Sequence, residues 1–219
     1  MQKITIIYED DVLLVCNKPA GLMVEPDRNN HPNLLNEVKK YLRIKNNNKS
    51  CYAQHLHRLD RPVSGLILFV KNKEYLRNLS EQFAQRTVEK HYTALTLNAP
   101  LKLQGRLEHW HRKEKKKAVI VPEGTEYAEK IILDYHVRKF GDFYKWEIQL
   151  HTGKFHQIRA QLANVGCPIL GDTLYGSPLP YFENVIALNA YKLIITHPYS
   201  QIKIIFEIAD VLNRKRLPQ

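Results

Sequence analysis

The chain has no cysteine pair to cross-link it: Cys16, Cys51 and Cys167 are far apart, odd in number and outside any Cys-x-x-Cys arrangement. That spacing argues against a disulfide framework and against a structural zinc site, and it fits a reducing compartment. Long apolar runs are missing as well. The opening residues, Met1-Gln2-Lys3-Ile4-Thr5, pass straight into alternating apolar and polar positions, without the cationic and apolar regions of an export signal. The expectation is a cytoplasmic protein with no membrane partner. Neither an internal repeat nor a low-complexity tract interrupts the sequence. Its 219 residues suit one large domain or two tightly joined lobes, either of which buries a stable core without staples. A single domain over residues 1–219 is expected.

Acidic residues are scarce beside basic ones, 22 against 33, which leaves a net charge of +11 at pH 7. Isolated buried charges are costly, so this surplus belongs on the surface, where it favours a polyanionic partner. RNA, DNA and an anionic membrane would all satisfy it. Composition does not choose among them.

Two β-rich runs, Ile4-Thr5-Ile6-Ile7-Tyr8 and Val12-Leu13-Leu14-Val15, flank the acidic turn Glu9-Asp10-Asp11 and predict an opening hairpin that ends at Lys18-Pro19-Ala20-Gly21. Leu34, Leu35, Val38, Tyr41 and Leu42 recur at helical spacing ahead of a polar loop at residues 45–49. A second helix is predicted over residues 73–85, capped by Asn72 and carrying the stripe Leu76, Leu79, Phe83, and a third over residues 155–165. Strands are predicted at residues 66–70, 88–97, 118–121, 130–137, 144–150, 185–193 and 202–206. Helices do not separate these strands regularly. The expected fold is therefore of the α+β type, a mixed and mostly antiparallel sheet with flanking helices, and not a doubly wound parallel sheet. The tract Arg112-Lys113-Glu114-Lys115-Lys116-Lys117 either tracks a phosphate backbone or forms a solvated loop between strands, and the tail Arg214-Lys215-Arg216 reads as a frayed terminus.

The most informative stretch is His57-Arg58-Leu59-Asp60-Arg61-Pro62-Val63-Ser64-Gly65, a polar loop that runs into the apolar strand Leu66-Ile67-Leu68-Phe69-Val70. Loops at the rim of a rigid sheet can hold a reactive group both positioned and accessible. Asp60 is flanked by Arg58 and Arg61, and if those cations approach it they favour the ionised carboxylate, which suits a nucleophile better than a general acid. Taken alone, the same aspartate could equally pair with an arginine or cap a turn.

The loop resembles the signature of the RluA-type RNA pseudouridine synthases, and the likeness runs on through the chain. Val15-Cys16-Asn17-Lys18-Pro19-Ala20-Gly21 is similar to the strand and turn near the start of that family, and Lys90-His91-Tyr92-Thr93-Ala94-Leu95 to its Lys-x-Tyr-x-Ala segment. Thr152-Gly153-Lys154-Phe155-His156-Gln157-Ile158-Arg159 and then the block from Gly166 to Gly176 follow in the expected order. The resemblance implies an enzyme that isomerises uridine in transfer or ribosomal RNA to pseudouridine, with no metal, nucleotide or organic cofactor and no obligate protein partner.

It also implies roles. Asp60 would attack either the uracil ring or the ribose anomeric carbon. Tyr92 would stack on the base and help remove the C5 proton, and Arg159 would form an ion pair with the catalytic aspartate. Arg58 would enter the RNA stack in place of the flipped uridine. RNA contacts are further expected from Arg61, Lys154, His156, Lys115 and Lys116, while Ile158 and Leu174 are either walls of the base pocket or plain core residues. On a helix over residues 155–165, Phe155, Ile158 and Leu162 would face the core and leave His156 and Arg159 as neighbours.

Val63 stands where the family often has threonine, and Lys154 where it often has arginine, which costs a hydroxyl and a bidentate fork but spares the nucleophile. The family often carries an N-terminal domain of the S4 type. Here the catalytic hairpin begins at once, so RNA recognition is expected from the catalytic lobe. Two rivals remain. His55-x-His57 and His109-x-His111 could chelate zinc for a hydrolase, although no acidic or cysteine partner stands at motif spacing. The same scaffold could also serve as a catalytically silent RNA-binding protein.

Overall fold

The computed structural model describes residues 4–29, 31–47 and 50–213. Residues 1–3, the tail at 214–216 and positions 48 and 49 of the polar loop, all considered above, lie outside the described residues. In chain order the strands are β1 (Thr5–Glu9), β2 (Leu13–Lys18), β3 (Gln54–His55), β4 (Ser64–Val70), β5 (Glu89–Thr96), β6 (Gln104–Glu114), β7 (Lys117–Val121), β8 (Glu129–Phe140), β9 (Phe143–Leu150), β10 (Leu188–Thr196) and β11 (Lys203–Glu207). The α-helices are α1 (Leu34–Lys45), α2 (Leu76–Ala84) and α3 (Gln157–Asn164). The α+β expectation of a mixed, mostly antiparallel sheet with few helices holds.

The chain folds as two compact units, one made of Met1–Val88 and Ala190–Ala209, the other of Glu89–Asn189 and Asp210–Gln219. In the first unit β1 pairs antiparallel with β2, and β2 with β4. Asp10 shapes the opening hairpin because its Oδ1 accepts the backbone N–H groups of Val12 and Leu13 at 2.7 and 2.6 Å. Strand β4 is apolar at every position from Leu66 to Val70 and buried on both faces, the pattern of a strand covered on each side. Leu13, Val15, Leu66, Leu68 and Val70 join Leu79 of α2 and Leu193, Ile195 and Phe206 of β10 and β11 in one core cluster. Each such side chain withdrawn from water contributes about 1.5–3 kcal/mol. The helix predicted over residues 73–85 starts as a 3₁₀ turn, Lys73–Tyr75, with Asn72 accepting the Glu74 N–H, and becomes α-helical only from Leu76.

In the second unit β5, β9, β8, β6 and β7 are successive antiparallel neighbours. The whole of β6 was absent from the sequence-based expectation. The tract from Arg112 to Lys117 is not a free loop: Arg112, Lys113 and Glu114 end β6, Lys117 opens β7, and Lys115-Lys116 form the turn between them. Lys115 has a φ of +52° there. The strand expected at residues 185–193 begins at Leu188, because Ala187 is already engaged, donating to the Leu170 carbonyl and accepting from the Leu95 N–H. Helix α3 lies on β7 through Ala160, Ala118 and Tyr175, with Phe155 and Ile120 packed alongside. Among the described residues, no helix is long and apolar enough to cross a membrane.

Candidate active site

The loop that carries Asp60 is fastened at both ends. Upstream, the Nε2 of His57 accepts the Leu68 N–H at 3.1 Å, and its ring stacks on Phe83 with centroids 5.3 Å apart. A ring nitrogen that accepts a backbone N–H carries no proton, so His57 is a neutral packing residue here. Downstream, Asp60, Arg61, Pro62 and Val63 form a tight turn closed by the Val63 N–H on the Asp60 carbonyl at 3.1 Å. The next residues enter β4 at Gly65, where φ is +128° and an added Cβ would lie 2.3 Å from the Ala190 carbonyl oxygen. Only glycine fits that approach. Asp60 itself is half-buried.

The turn is also clamped from the side by the Lys18-Pro19-Ala20-Gly21 segment. The Gly21 N–H donates to the Arg61 carbonyl at 2.7 Å, and Arg61 Nε donates back to the Gly21 carbonyl at 3.0 Å. Lys18 is fully buried, and its ammonium donates to the carbonyls of Leu22, Pro19 and Arg61 at 2.7, 3.0 and 3.3 Å. Burial pushes the Lys18 pKa down to about 7, opposed by the negative charge of Asp60. Lys18, which sequence reasoning treated as a turn element, is thus a buried cation whose charge couples to Asp60. The two flanking arginines bond other groups: Arg58 bonds Glu25, and the Arg61 guanidinium bonds Gly21. The physical reason is local, since an exposed arginine finds a carboxylate or a carbonyl beside it before it can fold back over its own turn.

In the second unit Tyr92 is buried on β5, opposite Ile148 of β9. Arg159 is buried on α3 and gives its Nε and Nη2 to the two oxygens of Asp172 at 2.7 and 2.8 Å, a two-bond fork that lysine could not supply. Its Nη1 lies 2.9 Å from His156 Nε2, so the expected neighbourhood of these two residues is present. Because Nη1 can only donate, the His156 proton belongs on Nδ1, which lies 3.1 Å from the Tyr175 hydroxyl. That hydroxyl also accepts the Ala118 N–H at 2.8 Å, and the Tyr175 ring lies 5.0 Å from the Arg159 guanidinium carbon. Asp172, Arg159, His156, Tyr175 and the β7 backbone therefore form one linked chain.

The loop before α3 is held by side chains as well. Thr152 donates its hydroxyl to Gln157 Oε1 at 2.7 Å, and the Lys154 N–H reaches the same oxygen at 3.2 Å. Gln157 Nε2 then ties this cluster to the Ile132 carbonyl and to Gln161 Oε1 at 3.1 and 3.0 Å. His156 sits at the start of α3 with φ +51°, a left-handed conformation that non-glycine residues adopt at a cost. For that reason the helix begins at Gln157 and not at residue 155.

Other expected site residues fall as follows. Ile158 is buried and Leu174 is 42% exposed, whereas its neighbours Asp172 and Tyr175 point inward. Their spacing of three along a 3₁₀ turn puts both on one side, a signal the sequence carried. Lys154 is exposed and pairs with Glu129, and Lys115 and Lys116 are exposed at the hairpin tip. Among the described residues no group of three or more histidine, cysteine or acidic side chains could hold a metal ion. His109 lies within 3.2 and 3.3 Å of the amides of Gln161 and Asn164, and His111 is buried with neither ring nitrogen hydrogen-bonded.

A profile of the family described as RNA pseudouridylate synthase matches residues 12–164. The ribosomal large subunit pseudouridine synthase D of Nitrosomonas europaea is 34% identical over 214 residues, which cover 89% of this chain and 58% of that protein. An RNA pseudouridine synthase of Bacillus subtilis is 30% identical over 98% of this chain and 71% of its own length. The dual-specificity RNA pseudouridine synthase RluA of Escherichia coli is 31% identical, with 89% of this chain and 88% of that protein covered. Of solved structures, human RNA pseudouridylate synthase domain containing 4 superposes with a TM-score of 0.75 at 22% identity, covering 98% of this chain and 89% of that one, a likeness of fold.

Proposed function

Because the chain belongs to the RNA pseudouridylate synthase family, we propose that it isomerises uridines in RNA to pseudouridine, with Asp60 as the nucleophile. The observation that carries this reading is the Asp60 turn, closed on itself, clamped by Gly21 and Lys18, and leading into a strand that tolerates no side chain at position 65. Such a turn holds a carboxylate in one place without burying it completely, which is what attack on an extruded nucleoside requires. The chemistry is balanced without a cosubstrate. The bond between uracil N1 and the ribose anomeric carbon breaks, the freed base turns, C5 bonds to the same carbon, and the C5 proton is lost while N1 gains one.

Tyr92 and Arg159 complete the proposed catalytic set, Arg159 with its plane fixed by Asp172. Arg58, Arg61, Lys154, His156, Lys115 and Lys116 are the proposed RNA contacts, supported by the net charge of +11, and Ile158 and Leu174 the proposed base-pocket walls. We read residues 1–219 as one catalytic domain acting in the cytoplasm on transfer or ribosomal RNA. The name of the Nitrosomonas relative, a synthase of the large ribosomal subunit, supports ribosomal RNA as a substrate, and the dual specificity in the name of the Escherichia relative supports more than one target.

The test is tritium release from RNA labelled at uracil C5. The purified protein should release tritium and Asp60→Asn should not. Equal release by both proteins would remove Asp60 from its role, and binding of RNA without release would leave only a scaffold.

A further inference from the structure

Arg58, in the Asp60 loop, is exposed and has a carboxylate partner within the fold. Its side chain is 62% exposed and its Nη1 bonds Glu25 Oε1. The other oxygen of Glu25 lies 3.3 Å from His55 Nε2. His55 is largely covered: it sits on β3 opposite Phe69 of β4, with its ring edge-on to the Phe69 ring at 6.4 Å, and burial lowers its pKa. A neutral ring of this kind donates one N–H, and since Nδ1 is buried with no hydrogen-bond partner, Nε2 is the nitrogen that donates. Glu25 is also tethered by its backbone neighbour, because the Val24 carbonyl accepts the Leu35 N–H at 2.9 Å at the start of α1. The carboxylate is thus oriented from the protein side and offers its free edge outward to Arg58.

An acidic group in that place does two things to RNA. It occupies the guanidinium that would otherwise meet phosphate or base, and it repels the phosphates themselves. An exposed ion pair is weak enough to open, whereas stacking of a guanidinium on bases and contact with phosphate are stronger. We propose that Glu25 is a specificity-determining residue: it holds Arg58 in the free protein and yields it only to RNA that offers the arginine a stacking position, so that loosely fitting RNA is screened out. This is selectivity through a repulsive element. The proposal rests on the reading of Arg58 as a group that enters the RNA stack.

Two probes separate the proposal from that reading. Poly(A), which contains no uridine, reports binding of non-substrate RNA, and bulk transfer and ribosomal RNA labelled with tritium at uracil C5 report turnover. Glu25→Gln keeps the shape and the His55 contact but removes the charge. It should bind poly(A) at least about threefold more tightly than wild type at low salt, lower KM for labelled RNA by a smaller factor, and change kcat least. In an Arg58→Ala background the gain on poly(A) should fall well below that in wild type, leaving only the relief of direct repulsion between Glu25 and phosphate. Unchanged or weaker poly(A) binding by Glu25→Gln, or a gain of equal size without Arg58, would overturn the proposal. A fall in kcat with poly(A) binding unchanged would overturn it too, by showing that Glu25 aims Arg58 instead of restraining it. If wild type released no tritium the reading of the enzyme would fail, yet the poly(A) measurements would still decide whether Glu25 restrains Arg58.

Discussion

Arg159 and Asp172, thirteen residues apart, meet as a buried bidentate ion pair with N–O distances of 2.7 and 2.8 Å. Breaking such a buried pair by removing one of its charges costs about 3–5 kcal/mol. Asp172→Asn, which preserves volume, should therefore shift the urea midpoint well below that of wild type. A midpoint within error of wild type would mean that Asp172 does not carry Arg159. Where the variant remains folded, tritium release should fall, because the plane of the guanidinium is no longer set from two sides.

Lys18 ties stability to pH in an unusual direction. Its pKa is lowered from 10.5 to about 7 in the folded chain, so below pH 7 folded and unfolded forms are both protonated and the burial penalty is complete. Between about pH 7 and the unfolded value the unfolded chain binds the extra proton, and stability rises with pH by up to about 1.4 kcal/mol per unit. Denaturant unfolding of wild type and Lys18→Met across pH 6 to 9 isolates the effect. Wild type should gain on the variant above pH 7 and run parallel to it below. A constant difference over the whole range would show that Lys18 does not titrate there.

Gly65 leaves no room for a methyl group. A Cβ would lie 2.3 Å from the Ala190 carbonyl oxygen and 2.6 Å from its nitrogen, all backbone atoms that cannot swing away. Gly65→Ala should cost more than about 4 kcal/mol, the range reserved for backbone clashes and broken cores. Soluble yield and melting temperature check this. A variant that expresses and melts like wild type would show that β4 and β10 can separate at that point without penalty.

How far the sequence reached follows from where physical information is local. The hairpin β1–β2, strand β4 and helix α1 were legible because apolar residues there repeat at one period, and β4 is apolar from Leu66 to Val70. Strand β6 was not, since Gln104–Glu114 is charged and mostly exposed and is held by its pairing with β8 and β7, which no window along the chain contains. The Asp60 loop was recognised as a turn feeding a strand, but the buried ammonium that clamps the turn was not. Arg58 and Arg61 are adjacent in sequence, whereas Lys18 reaches Arg61 across 43 positions. In the Gly171 to Gly176 block, Leu174 drew attention as the apolar residue, and Asp172 and Tyr175, the buried pair, did not. A charge is expected at the surface unless its counter-charge is known, and Arg159 lies on another element.

The most direct measurement of the central claim is carbodiimide mapping of pseudouridine in cells that lack the gene, complemented with wild type or with Asp60→Asn. Specific uridines in transfer or ribosomal RNA should lose their modification without the gene, regain it with wild type and stay unmodified with Asp60→Asn. Maps that are identical in all three strains, or restored by Asp60→Asn, would contradict the assignment of Asp60 as the nucleophile of an RNA pseudouridine synthase.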